Sequence, residues 1–97
     1  MKMINITVEF TGVGKQIVGA KQTGLSLQDG TTYREIIQVL ARTYPGMVGM
    51  LIATEGASFL SSTMFSVNGE RMILPGMDNE CPQDGDRLIL VSVITGG

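Results

Sequence analysis

An α+β fold, with one helix packed across a mixed sheet, is what this 97-residue sequence predicts. Three patterns carry the expectation. Residues Ile4 to Phe10 alternate apolar and polar, the period of a half-buried strand. Behind a capping box at Thr32, the residues Tyr33, Ile36, Ile37, Leu40 and Tyr44 recur at helical spacing. The segment Arg87 to Ile94 has only Ser92 as a polar interruption after its first residue, as suits a strand with neighbours on both sides.

The elements follow in order. Ile4, Ile6, Val8 and Phe10 mark one face of the first strand, and Asn5, Thr7 and Glu9 the other. Gly12-Val13-Gly14-Lys15 reads as a permissive turn, and Ile17 to Leu27 as the returning strand of a hairpin. Asp29-Gly30 breaks that strand. Thr32, followed three residues later by Glu35, opens the helix, because hydroxyl and carboxylate each satisfy a free backbone N–H; Pro45-Gly46 ends it. Residues 45–62 read as a short helical turn plus loop. Met64 to Val67 is a strand, Asn68-Gly69 a two-residue turn of residues that tolerate positive φ, and Glu70 to Leu74 a short return strand. A polar connection over 75–83 and the turn Asp84-Gly85-Asp86 lead into the final strand, expected at the centre of the sheet. Hairpin, helix, short strands and a final strand make a β-grasp arrangement, which proteins of unrelated function share. The domain is expected over 1–94, with 95–97 as a flexible tail.

Composition narrows the chemistry. Seven basic and nine acidic residues give a net charge of -2, and the four arginines and three lysines are scattered singly, which argues against nucleic acid. No apolar run approaches the roughly 20 residues that span a bilayer, and the N-terminus has no apolar signal segment, so a cytoplasmic location is expected. Histidine and tryptophan are absent and Cys81 is the single cysteine, which removes His general bases, Cys/His pairs, His-based metal sites and an internal disulfide. No metal and no bound cofactor are expected.

Other candidate motifs have plainer readings. A phosphate loop at Gly12-Val13-Gly14-Lys15 fails, since its first glycine falls at Glu9 and Gln16 stands where Ser or Thr would hold magnesium. Cys81 lies between Glu80 and Pro82, without a nearby basic residue in the sequence to lower its pKa. Asp78, Glu80, Asp84 and Asp86 lack the alternation of a calcium loop, and read as a solvated acidic loop or part of a charged docking surface. The methionines are expected mainly in the core.

The C-terminus is different. Two terminal glycines arise by chance in roughly 0.5% of chains at average glycine usage, and here they follow directly on the last strand. Without Cβ atoms, a Gly-Gly end threads a narrow channel and presents its carboxylate with little steric hindrance. That carboxylate, with a pKa of about 3.5, is a poor electrophile until adenylation supplies a leaving group.

Asp84 to Gly97, preceded by Val67-Asn68-Gly69 and by a strand of the form Ile4 to Gly12, resembles the MoaD/ThiS family of ubiquitin-like sulfur carrier proteins. The resemblance implies a non-catalytic carrier whose Gly97 is adenylated by a ubiquitin-activating-type enzyme using ATP and converted to a thiocarboxylate. Thr95 and Gly96 would thread the partner's active site, and a synthase subunit or other acceptor would take the sulfur. The tail Val91-Ser92-Val93-Ile94-Thr95 lacks the paired prolines of MoaD-like members and is closer to ThiS. The long 45–62 region is closer to MoaD, and Leu74-Pro75-Gly76-Met77 fits neither. Molybdopterin synthesis, thiamine thiazole synthesis, thiolation of other metabolites or tRNA, and conjugation of Gly97 to protein lysines all stay open. By analogy with such folds, Leu88 and Leu90 belong beneath the helix. Ile89, Val91 and Val93 then form an apolar docking face, rimmed by charges such as Arg71 or Arg87.

Overall fold

The alternating N-terminal segment folds as β1 (Met3–Phe10), and Ile4, Ile6, Val8 and Phe10 are all buried. A computed structural model describes residues 2–60 and 62–92. After β1 come α1 (Gly12–Val18), β2 (Gln22–Gln28), α2 (Tyr33–Thr43), a 3-10 turn (Pro45–Met47), β3 (Thr63–Val67), β4 (Arg71–Met72) and β5 (Arg87–Ser92). The sheet order is β2-β1-β5-β3-β4. β5 is therefore central, parallel to β1 on one side and antiparallel to β3 on the other.

The connection after β1 corrects the expected tight turn. Residues 12–18 form a short helix, and β2 begins at Gln22 rather than Ile17, still antiparallel to β1. A seven-residue helix holding two glycines is marginal by itself, so its support is tertiary. The Thr11 hydroxyl, instead of capping α1, donates to the Leu90 carbonyl at 2.7 Å. Gly14 lies so close to the sheet that a Cβ there would sit 3.3 Å from Leu90 Cδ2 and 3.4 Å from Leu51 Cδ1. Glycine lets α1 approach without the shift of a few tenths of an ångström that a Cβ would demand of the Leu90 side chain.

The capping box of α2 is complete. Glu35 N–H donates to the Thr32 hydroxyl at 3.1 Å, and Thr32 N–H donates to Glu35 Oε1 at 3.2 Å. Tyr33, Ile36, Ile37 and Leu40 then join the inward side chains of β1, β3 and β5 in one core. Region 45–62 contributes to it, since Met47, Leu51 and Ile52 are buried and Phe59 meets Phe65 edge-on at 4.9 Å. The turn after β3 places both Asn68 and Gly69 at positive φ, 56° and 72°, and is closed by Glu70 N–H donating to the Val67 carbonyl. Val67 pairs with Arg71, however, so the loop holds three residues and not two. Among the described residues no helix is long and apolar enough to cross a membrane.

Candidate functional site: the open face of the tail-bearing strand

Strand alternation sorts β5 cleanly. Leu88 and Leu90 are 0% and 1% exposed beneath α2, while Ile89 and Val91 are half-buried on the other face. The neighbours of Ile89 and Val91 follow from register: Met64 opposes Val91, Ser66 opposes Ile89, and Met72 opposes Ser66. Together they make an apolar strip over β5, β3 and β4. Glu9 lies beside Ile89 on β1, and its carboxylate accepts an ion pair from Arg87 Nε at 2.8 Å. Arg87 thus rims the strip. Both partners of that pair are partly solvated, so it shapes the rim more than it stabilises the fold.

Arg71 does not join it. Paired with Val67, it projects on the α2 side of the sheet, where its guanidinium meets Glu80 at 3.1 Å and the Tyr33 hydroxyl. The cause is the third loop residue, Glu70, because a shift of one residue turns every side chain to the other face. A two-residue loop would have set Arg71 against Ser66. The sequence-based rim of Arg71 and Arg87 is therefore split between the two faces. Burial pushes the Tyr33 phenol above its ordinary value, with the Arg71 hydrogen bond opposing that shift.

The predicted Val93, Thr95, Gly96 and Gly97 lie outside the described residues. What precedes them is firmly built. β5 is paired on both sides, Thr11 holds the Leu90 carbonyl, and the Thr63 and Ser92 hydroxyls are 3.4 Å apart. Met64 and Met72 were missing from the sequence-based face. Their strand alternation was readable, but their place beside Val91 and Ser66 depends on the register of β3 with its neighbours.

The remaining candidates are structural in their contacts. Asp84 Oδ1 accepts the Asn5 N–H at 2.7 Å, and Asp86 accepts from Gln83 N–H and Asn68 Nδ2. Asn68 Oδ1 in turn accepts the Arg87 N–H at 2.8 Å, which fastens the Asn68-Gly69 turn to the start of β5. Asp78 pairs with Arg34 and Glu80 with Arg71. Among the described residues, no group of three or more His, Cys, Asp or Glu is placed to hold a metal ion. The exposed Cys81 thiol donates to the Gly30 carbonyl at 3.2 Å.

A mixed five-stranded sheet crossed by one main helix, whose central last strand runs on in sequence to Gly-Gly, defines a ubiquitin-like β-grasp protein. Within that class, the ThiS family profile matches residues 8–97, and the chain belongs to the ThiS family. Among curated proteins none is a significant sequence match. The solution structure of small archaeal modifier protein 1 from Methanosarcina acetivorans is similar with a TM-score of 0.77 at 17% identity, over 100% of both chains. A Pyrococcus furiosus protein described as molybdopterin converting factor, subunit 1, gives 0.70 at 17% identity, over 94% of this chain and 99% of that one. Urm1 from Trypanosoma brucei gives 0.68 at 23% identity, over 100% and 99%. At these identities the likeness is one of fold.

Proposed function

We propose that this protein carries sulfur on its C-terminal carbonyl. In this reading a Gly97 carboxylate oxygen attacks the α-phosphorus of ATP in a partner adenylyltransferase, and pyrophosphate leaves. A sulfide-level nucleophile then attacks the acyl carbon and expels AMP, which leaves a thiocarboxylate on Gly97. Thr95 and Gly96 occupy the narrow approach to the partner's site, where small side chains are needed. Ile89, Val91 and Val93, extended by Met64 and Met72, dock on the partner with Arg87 at the rim. The thiocarboxylate passes its sulfur to an acceptor in cofactor biosynthesis, of the molybdopterin or thiamine thiazole type. The single observation that carries the reading is membership of the ThiS family over a match that extends to Gly97.

Coexpression with the cognate adenylating enzyme and a sulfur donor, followed by intact-mass measurement, tests it. The carrier gains the mass of sulfur replacing oxygen and loses the gain when Gly97 is deleted. Absence of that species, or its survival without Gly97, overturns the proposal. A second reading draws on the structural likeness to a protein named as a small archaeal modifier: conjugation of Gly97 to lysines of target proteins. Gly-Gly remnants on digested partner lysines would support it.

A further inference from the structure

One edge of the sheet is left incomplete. In the antiparallel ladder with β5, Asn68 N–H donates to the Arg87 carbonyl, so by alternation Ser66 and Met64 also direct their backbone groups toward β5. Thr63, Phe65 and Val67 direct theirs the other way. There the Val67 carbonyl accepts from Glu70 N–H and the Phe65 carbonyl from Ile73 N–H, each at 2.9 Å. The pairing then stops: β4 ends at Met72, and Ile73 returns no carbonyl to the Phe65 N–H. Thr63 N–H is taken by the Leu60 carbonyl at 3.1 Å. Among the described residues the Phe65 N–H and the Thr63 carbonyl have no backbone partner, although Phe65 is 1% exposed.

Both residues line a cleft of about 300 Å³ whose apolar walls include Ile37, Phe59, Leu60, Ile73 and Pro75. Among the described residues its one charged lining residue is Asp78. Beside the cleft, Arg34 reaches Asp78 at 3.5 Å and Glu55, which also accepts from the lining residue Ser58, at 3.9 Å, so two carboxylates share one guanidinium and leave an excess of one negative charge in this cluster.

These vacancies choose an orientation. A parallel strand sets one residue between a carbonyl at i−1 and an N–H at i+1, which here are those of Thr63 and Phe65 around Met64. An antiparallel strand needs both groups of a single residue, and Ile73 and Leu60 have already taken one from each. We infer that this edge binds an extended segment of a partner protein running parallel to β3. Its central residue lies beside Met64, an apolar side chain on either side of that residue enters the cleft, and a flanking lysine or arginine answers the excess carboxylate. The bound segment is two strand spacings, about 10 Å, from β5, and its docking does not depend on chemistry at Gly97.

The probe is an acetylated, amidated pentapeptide, lysine-isoleucine-threonine-isoleucine-lysine, titrated into the isotope-labelled protein and followed by amide NMR. In the free protein the Phe65 amide exchanges faster than that of Ser66; equal protection overturns the inference. With peptide, the Phe65 amide moves downfield and its exchange slows about tenfold or more, the effect of one new backbone hydrogen bond. A peptide N-methylated at its threonine, which cannot donate to the Thr63 carbonyl, binds about tenfold more weakly. Leu60→Glu, checked for a native spectrum, also loses the response. Binding without a Phe65 shift, indifference to the N-methyl group, or shifts centred on Ile89 and Val91 overturns it.

Discussion

Replacing Val91 by aspartate separates docking from folding. Val91 is half-buried on the open face, opposite Met64 and away from the core, so the carboxylate points to solvent in the free protein. The loss of stability should stay within about 1 kcal/mol, the span of strand propensity. Docking is another matter. Covering the rest of the valine contributes about half of the ~1.5 to 3 kcal/mol for a fully buried side chain, and desolvating the new carboxylate costs about 1 to 3 kcal/mol more. The sum, about 1.8 to 4.5 kcal/mol, is roughly a 20- to 2000-fold fall in kcat/KM for adenylation, carried by KM. Pyrophosphate release by the activating enzyme, with this protein as variable substrate, reads it directly. Leu90→Asp is the internal control: one position along, at 1% exposure, it places the same charge in the core and should cost more than about 5 kcal/mol. If Val91→Asp unfolds the protein, or leaves adenylation within about threefold of wild type, the assignment of faces or of docking is wrong.

Three further outcomes rest on single observations. Thr32→Ala removes half of the capping box and should lower the urea-measured stability by about 1 kcal/mol; no change would mean that α2 is held by packing alone. Gly14→Val forces a branched side chain against Leu90 and Leu51, with a cost of about 1 to 3 kcal/mol, and an unaffected melting temperature would refute the close approach of α1. Tyr33 ionises later in the folded than in the unfolded chain, where its pKa is about 10, so its contribution is whole below pH 10 and is lost as pH rises through the folded value. Tyr33→Phe should therefore flatten the alkaline decline of the urea midpoint from about pH 10 upward, with no effect on the slope well below it, and an unchanged decline would speak against that burial.

How legible each element was depended on where its stabilising contacts lie. α2 was readable because its cap and its apolar stripe are both local: Tyr33, Ile36, Ile37 and Leu40 are buried where the spacing put them, and Tyr44, at the C-cap, is partly buried against the same core. β5 was readable as a central strand because a strand paired on both sides has no solvated edge to mark with charge. α1 was not, because Gly12 and Gly14 carry the signature of a turn, while what holds the helix is Thr11 on Leu90 and the contact of Gly14 with residues 37 or more positions away. The apolar face was half legible. Ile89 and Val91 followed from alternation within one strand, but the place of Arg71 turned on Glu70 and that of Met64 on its register with Val91. Those are properties of pairing, which a single chain's periodicity does not carry.

The position of β5 has a mechanical consequence. A partner that grips the Gly-Gly end and withdraws pulls along the axis of that strand. β5 is registered with β1 at four residue pairs and with β3 at five, flanking it on both sides. The load is then shared in shear by all of those hydrogen bonds together, whereas a terminal strand on an edge, pulled sideways, would unzip one bond at a time. A pull applied to the chain beyond Ser92 therefore moves the whole domain before it peels the strand away, because that end leaves from a strand held on both sides.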